Sequence, residues 1–125
     1  MTERSYGQRD DELLNLDRRR VDGAVVVSAS GELDMTTSPQ LRQALGEALD
    51  EAGSAVVIVD VTSVTFLGSP GLAALFEAAI NAKQRGGPLR IVVDHTRPTV
   101  VRPLQVTGLE AVLTLYETID DALAG

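Results

Sequence analysis

Apolar residues follow two alternating rhythms along this chain. Short, β-branched runs recur at Ala24 to Ala29 (AVVVSA), Ala55 to Val59 (AVVIV) and Leu89 to Val93 (LRIVV). Near-continuous apolar runs of this length, bounded by turn residues, predict strands buried on both faces. Between them the spacing changes to three, four and seven. Leu41, Ala44, Leu45, Ala48, Leu49 and Ala52 mark one helix, which Gly53 ends; Leu72, Leu75, Phe76, Ala79 and Ile80 mark a second, closed by Gly86-Gly87-Pro88. Thr37 or Ser38 is placed to cap the first helix, with Pro39 in its first turn, and Thr37 to Gln40 fits a capping box. After Val59 come Asp60-Val61, Thr62-Ser63 and a second apolar patch from Val64 to Leu67, then Gly68-Ser69-Pro70-Gly71.

The ends of the chain are weaker in pattern. Leu13, Leu14 and Leu16 predict an edge strand, and Asp22-Gly23 before Ala24 is a hairpin signal. Thr96 to Val106 predicts a third helix that Pro103 should kink or shorten, and Thr107-Gly108 breaks the chain. Leu109 to Tyr116 predicts a last strand, and Thr118 caps a terminal helix from Ile119 to Ala124. Strands alternating with helices imply an α/β fold: a mixed, mainly parallel sheet of four to five strands with about four helices, its opening hairpin antiparallel. Residues 1–11 are polar and read as a flexible tail, leaving 12–125 as one domain.

Composition narrows the function. A chain of 125 residues holds one core. With 3% aromatic residues and no Trp, packing rests on Val, Leu, Ile and Ala. A net charge of -7 argues against nucleic acid and fits a basic protein partner. The run Arg18 to Arg20 is flanked by acids and reads as a solvated edge. Without cysteine there is no disulfide, thiolate nucleophile or Cys-based metal site. The N-terminal stretch lacks a signal-peptide core, and no window approaches the ~18 apolar residues of a membrane span. A cytoplasmic domain, with no membrane or cofactor, is the expectation.

The one stretch that invites chemistry is the junction around Ser69. Ser69 is a preferred N-cap type followed by Pro70 at a favoured first position, and Gly68 and Gly71 leave room for close approach. A hydroxyl at a helix N-terminus tolerates added phosphate. Two readings stand: a helix cap, or a modification and docking site. Enzyme readings fare worse. A nucleophile elbow needs glycine two before the serine, where Leu67 stands, and the single histidine, His95, would have to be the base. No Gly-Lys-Ser/Thr ends a glycine-rich loop, no GxGxxG follows a strand, and Asp60, Asp94 and His95 lack a metal-ligand spacing. A binding surface is better supported. Opposite its apolar stripe, the second long helix carries Ala73, Ala74, Glu77 and Asn81, a flat face for a partner unless the alanines serve helix propensity alone. In a parallel sheet the loop Gly31 to Thr37 would lie at the same end as Ser69.

These residues carry a family resemblance. Gly31-Glu32-Leu33-Asp34 with Thr37 and Leu41 resembles the GELD-x-x-T-x-x-x-L segment of STAS domains, specifically the bacterial anti-sigma factor antagonists. Val56 to Leu75 is similar to their strand, acid, apolar step and DSSGL-type helix start, and Thr107-Gly108-Leu109 to a later SGL/TGL. The resemblance implies a non-enzymatic partner switch. The unphosphorylated antagonist binds an anti-sigma factor that is also a serine kinase of the histidine-kinase-like ATPase type, and so frees a sigma factor. The kinase phosphorylates the serine aligned with Ser69, and a serine phosphatase resets it. The implied partner-binding residues are Gly31, Glu32, Asp34, Thr37, Gly68, Pro70, Gly71, Ala73 and Ala74, with phosphorylation at Ser69. This chain departs from the pattern in having Gly68 for the aspartate and Pro70 for the second serine. A STAS scaffold not switched by phosphate, and a nucleotide or small-molecule binder, are the alternatives.

Overall fold

The computed structural model describes residues 13–111 and 113–125, so the expected tail at 1–11 lies outside the described residues. Strands β1 (Leu14–Val21), β2 (Ala24–Leu33), β3 (Val57–Leu67), β4 (Leu89–Val92) and β5 (Thr114–Tyr116) form one sheet in the order β1-β2-β3-β4-β5. The helices are α1 (Ser38–Ala52), α2 (Ser69–Arg85), α3 (Pro98–Val106) and α4 (Ile119–Ala124). Strands β1 and β2 pair antiparallel; every later pair is parallel. The β1–β2 turn has positive φ at both Asp22 and Gly23, the backbone that a tight hairpin following the sheet twist requires.

Because spatial order follows chain order, successive right-handed crossovers drop α1, α2 and α3 onto one face. Val25, Val27, Val57, Val59, Val61 and Ile91 bury that face against Leu41, Leu45, Leu75 and Leu104 in the main core. On the opposite face Val26, Ile58 and Val92 meet Ala122 of α4 in a smaller cluster. Both faces of β2 to β4 are therefore covered, which is why these strands read as unbroken apolar runs.

Several elements differ from the sequence expectation. The edge strand runs on through the arginines to Val21, because alternation sends Arg18 and Arg20 over α1 to Glu47 and Glu51, while Arg19 pairs with Asp17. The two apolar patches at Val57 and Val64 are one strand. The helix α3 continues past Pro103 to Val106. Residues Leu109–Ala111 form a 3-10 turn, leaving β5 with three residues. Thr118 does cap α4, its hydroxyl accepting from the Asp121 amide at 3.0 Å.

The largest difference is the rotation of α2. Its buried residues are Gly71, Ala74, Leu75, Ala78, Ala79 and Ala82, whereas Phe76 and Ile80 are exposed. The buried face is turned by about 100°, one residue, from the stripe of large apolar positions. Small side chains let α2 sit close to the sheet. A Cβ on Gly71 would lie 2.8 Å from Leu67 Cδ1 and 2.9 Å from Leu33 Cβ.

Candidate functional site

The site is built at the carboxyl ends of β2 and β3. Two irregularities in their parallel register, at Ser28/Ser30 and at Gly31/Glu32, each give β3 one residue more than β2. Such bulges redirect side chains. After the second one, Thr65 and Phe66 both face solvent while Val64 and Leu67 remain buried. The Thr65 hydroxyl donates to the Gly31 carbonyl (3.3 Å), and Thr99 at the start of α3 donates to the Thr65 carbonyl (2.8 Å). Gly31 has φ +112°, and a Cβ there would run into the Leu13 carbonyl of the first strand's approach. Only glycine fits.

Leu33 then joins the two loops. Its carbonyl accepts from the Gly68 amide at 2.8 Å, and its side chain supports Gly71. The loop between them is tied from within. Asp34 Oδ1 accepts from the amides of Thr36 (2.9 Å) and Thr37 (3.0 Å). The Thr37 hydroxyl donates to the Glu32 carbonyl at 2.7 Å and accepts from the Asp34 amide at 3.0 Å. Thr37 therefore occupies the position before α1 without capping it; its oxygen is spent on the loop, and Ser38 is buried without capping either.

At the β3–α2 junction the N-cap position belongs to Gly68, not Ser69 as expected. Ser69 is the first helical residue, is exposed, and makes no side-chain cap hydrogen bond. The first helical bond runs from the Leu72 amide to the Gly68 carbonyl, at 3.1 Å. Pro70, at the second helical position, has no amide to offer.

The residues expected at a docking face thus separate into two groups. Glu32, Ser69 and Ala73 are exposed, and Gly31, Asp34, Gly68 and Pro70 are half-buried at the same end of the sheet. Ala74 is 1% exposed and faces the core, because of the rotation of α2. Gly71 and Thr37 are buried too and act on the surface from beneath. The pattern reading missed Phe66 (47% exposed), whose ring approaches Gly68, and Met35 (80% exposed), which follows Asp34 in the same loop. Met35 was visible as an apolar residue inside a polar loop. Phe66 carried no such sign, since it lies in an apolar patch and only the bulge turns it outward.

Residues 15–122 match the STAS domain family. The chain belongs to that family. It is 35% identical over 103 residues to a Mycobacterium tuberculosis protein named anti-sigma-F factor antagonist RsfB, covering 82% of this chain and 81% of that one. A crystal structure of an anti-sigma factor antagonist from Mycobacterium paratuberculosis superposes with a TM-score of 0.80 at 37% identity, covering 89% of this chain and 92% of that one. The Bacillus protein SpoIIAA, solved in a phosphorylated form, shares the fold at a TM-score of 0.63 and 21% identity, covering 87% and 96%.

In this STAS domain Asp60 and Asp94, considered as metal ligands, bond to neighbouring threonines, and His95, considered as a ligand or a base, lies near Glu117. Asp60 accepts from the amide and hydroxyl of Thr62. Asp94 accepts from the hydroxyl (2.6 Å) and amide (2.9 Å) of Thr96, which hold its carboxyl below the ordinary value of 3.8. His95 lies 3.8 Å from Glu117, near the start of α4. Among the described residues no group of three or more His, Asp or Glu converges as a metal site, and no helix is long and apolar enough to cross a membrane.

Proposed function

We propose that this STAS domain is an anti-sigma factor antagonist. It binds an anti-sigma factor that is also an ATPase-type serine kinase, so that a sigma factor is released, and phosphorylation of Ser69 reverses the binding. It acts by docking and not by catalysis. The observation that carries the reading is the position of Ser69: exposed, free of any cap bond, first in a 17-residue helix, and at the seam of the two strand-end loops. Relatives of 35% and 37% identity that bear the antagonist name support it.

The local electrostatics explain how one phosphoryl group acts as a switch. Phosphate adds about two negative charges at neutral pH. Residues 31–41 and 62–82, which supply both loops and most of α2, contain no Lys or Arg. Neither segment supplies a Lys or Arg to pair with it, so a doubly charged, strongly hydrated group stands at the centre of the docking face, where its bulk and the cost of desolvating it oppose close contact. A scaffold not switched by phosphate is the second reading. It is favoured by Gly68, which replaces the acid of the family pattern, and by Pro70, which withholds an amide from a phosphate at Ser69.

The test is a pull-down of the tagged chain from its own cells, with intact mass measured on the bait. The proposal expects an ATPase-type kinase and a bait fraction heavier by one phosphoryl group, absent in Ser69→Ala. A kinase without the mass shift would make the chain a constitutive antagonist. No kinase would leave the scaffold reading.

A further inference from the structure

The surface around Ser69 is apolar at its centre and acidic at its edge. Phe66, near the end of β3, and Met35, in the β2–α1 loop, are exposed large side chains, Ala73 lies one helical turn below Ser69, and Phe76 continues the apolar line along α2. The Phe66 ring rests on Gly68: a Cβ at Gly68 would lie 3.1 Å from Phe66 Cε2 and 3.3 Å from the Leu33 carbonyl oxygen. The Leu33 carbonyl is fixed by its bond to the Gly68 amide, so a side chain at position 68 presses on the ring, which must give by a few tenths of an ångström for the Cβ alone and by more for a longer side chain. Glu32 is opposite Phe66 in the β2–β3 register, and Asp34 follows it in the loop. Both are acidic, and neither has an ion pair among the described residues. The nearest cation in sequence, Arg42, is held by Glu77 at 2.8 Å.

We infer that Phe66 and Met35 form the seat for the anti-sigma partner, and that Gly68 is the specificity residue that makes room for the Phe66 ring. The occupant is a protein surface with an apolar patch rimmed by Lys or Arg. Charge complementarity selects it: Glu32 and Asp34, acids of the face with no ion pair among the described residues, attract a basic rim and repel an acidic one. An aromatic at the centre of such a patch carries a large share of binding, and the charged edge governs the rate of encounter. The departure of Gly68 from the family's aspartate is thus a gain of apolar contact in this chain. The inference rests on the antagonist reading and specifies its partner.

The test uses the kinase recovered with the tagged chain, purified, and binding kinetics against variants of the full chain. Phe66→Ala is expected to raise Kd about 30-fold, mostly through faster dissociation. Gly68→Asp should raise Kd about 10-fold, and adding Phe66→Ala to it should cost less than Phe66→Ala costs alone, because the ring is already displaced. Glu32→Gln should slow association about 2-fold at low salt, a difference that fades as salt is raised. Phe66 is half-exposed, so Phe66→Ala should keep the wild-type melting temperature within about 3 °C. Should that variant fail to fold, Phe66→Leu carries the test with a smaller, same-signed loss. If Phe66→Ala and Gly68→Asp bind like wild type while Ser69→Asp is weakened, the seat is wrong and the antagonist reading stands. If Ser69→Asp also binds like wild type, or no kinase is recovered, the switch reading itself fails and the inference with it.

Discussion

Replacing Gly71 by alanine tests the packing that positions Ser69. In an exposed helical position the change would be favourable, since Gly costs about 0.8–1 kcal/mol relative to Ala in a helix interior. Gly46 in α1 is such a position: a Cβ there meets nothing within 4 Å. At Gly71 the new Cβ would come within 2.8 Å of Leu67 Cδ1 and 2.9 Å of Leu33 Cβ. The first atom can rotate away. The second cannot, because a Cβ moves only with its backbone, and the Leu33 carbonyl is tied to Gly68. Overpacking of this kind costs about 1–3 kcal/mol. Set against a propensity gain of at most about 1 kcal/mol, the net loss is about 0–2 kcal/mol. Gly46→Ala should gain about 1 kcal/mol, so the two variants should separate by about 1–3 kcal/mol in urea unfolding. Their melting temperatures should separate in the same sense, by about 3–5 °C per kcal/mol. The Gly71 variant should also bind the anti-sigma partner less well, because α2 and Ser69 shift together. Equal stabilisation by both alanines would refute the close approach of α2 to Leu33.

Other expectations concern the loop and the strand ends. Thr37→Val removes the hydroxyl that serves the Glu32 carbonyl and the Asp34 amide, and should destabilise the domain by about 1–3 kcal/mol; unchanged urea unfolding would contradict that role. Gly31→Ala meets both a positive φ and the Leu13 backbone, and should cost more than Gly71→Ala; a soluble variant as stable as wild type would be inconsistent with the pairing of β1 and β2 at that point. Asp94 has a lowered carboxyl pKa in the fold, so its contribution to stability is present above 3.8 and is lost as pH falls through the folded value. Thr96→Val should move the Asp94 pKa up toward 3.8 in an NMR titration, and no upward movement would show that the hydroxyl is not its main cause.

The order of elements was legible because each central strand is buried on both faces and each long helix repeats its apolar residues with helical spacing. Asp22-Gly23 marked the hairpin, and Thr118 marked the last cap. The register was not legible. The two extra residues in β3 change which side chains face out, and nothing in the run Val64 to Leu67 distinguishes Phe66 from its neighbours before the strand is paired. The face of α2 was misread for a related reason. Pattern reading follows the large residues, while a helix packed closely on a sheet buries its small ones, here Gly71, Ala74 and Ala78. Ala74 left the docking face as a result. Asp34 and Thr37 were found as part of the site's segment, yet their hydrogen bonds run within the loop, a role that depends on backbone turns and not on spacing.

The central claim is that Ser69 gates a docking surface, and the most direct measurement is the affinity of the purified anti-sigma kinase for this chain with and without a phosphoryl group on Ser69. Calorimetry on stoichiometrically phosphorylated protein, with Ser69→Ala as the unmodifiable reference, separates the charge from the loss of the hydroxyl. The account predicts that Ser69→Ala binds within about 2-fold of wild type, while the phosphorylated chain binds at least about 30-fold more weakly. Equal affinity of the phosphorylated and unphosphorylated chains would contradict it.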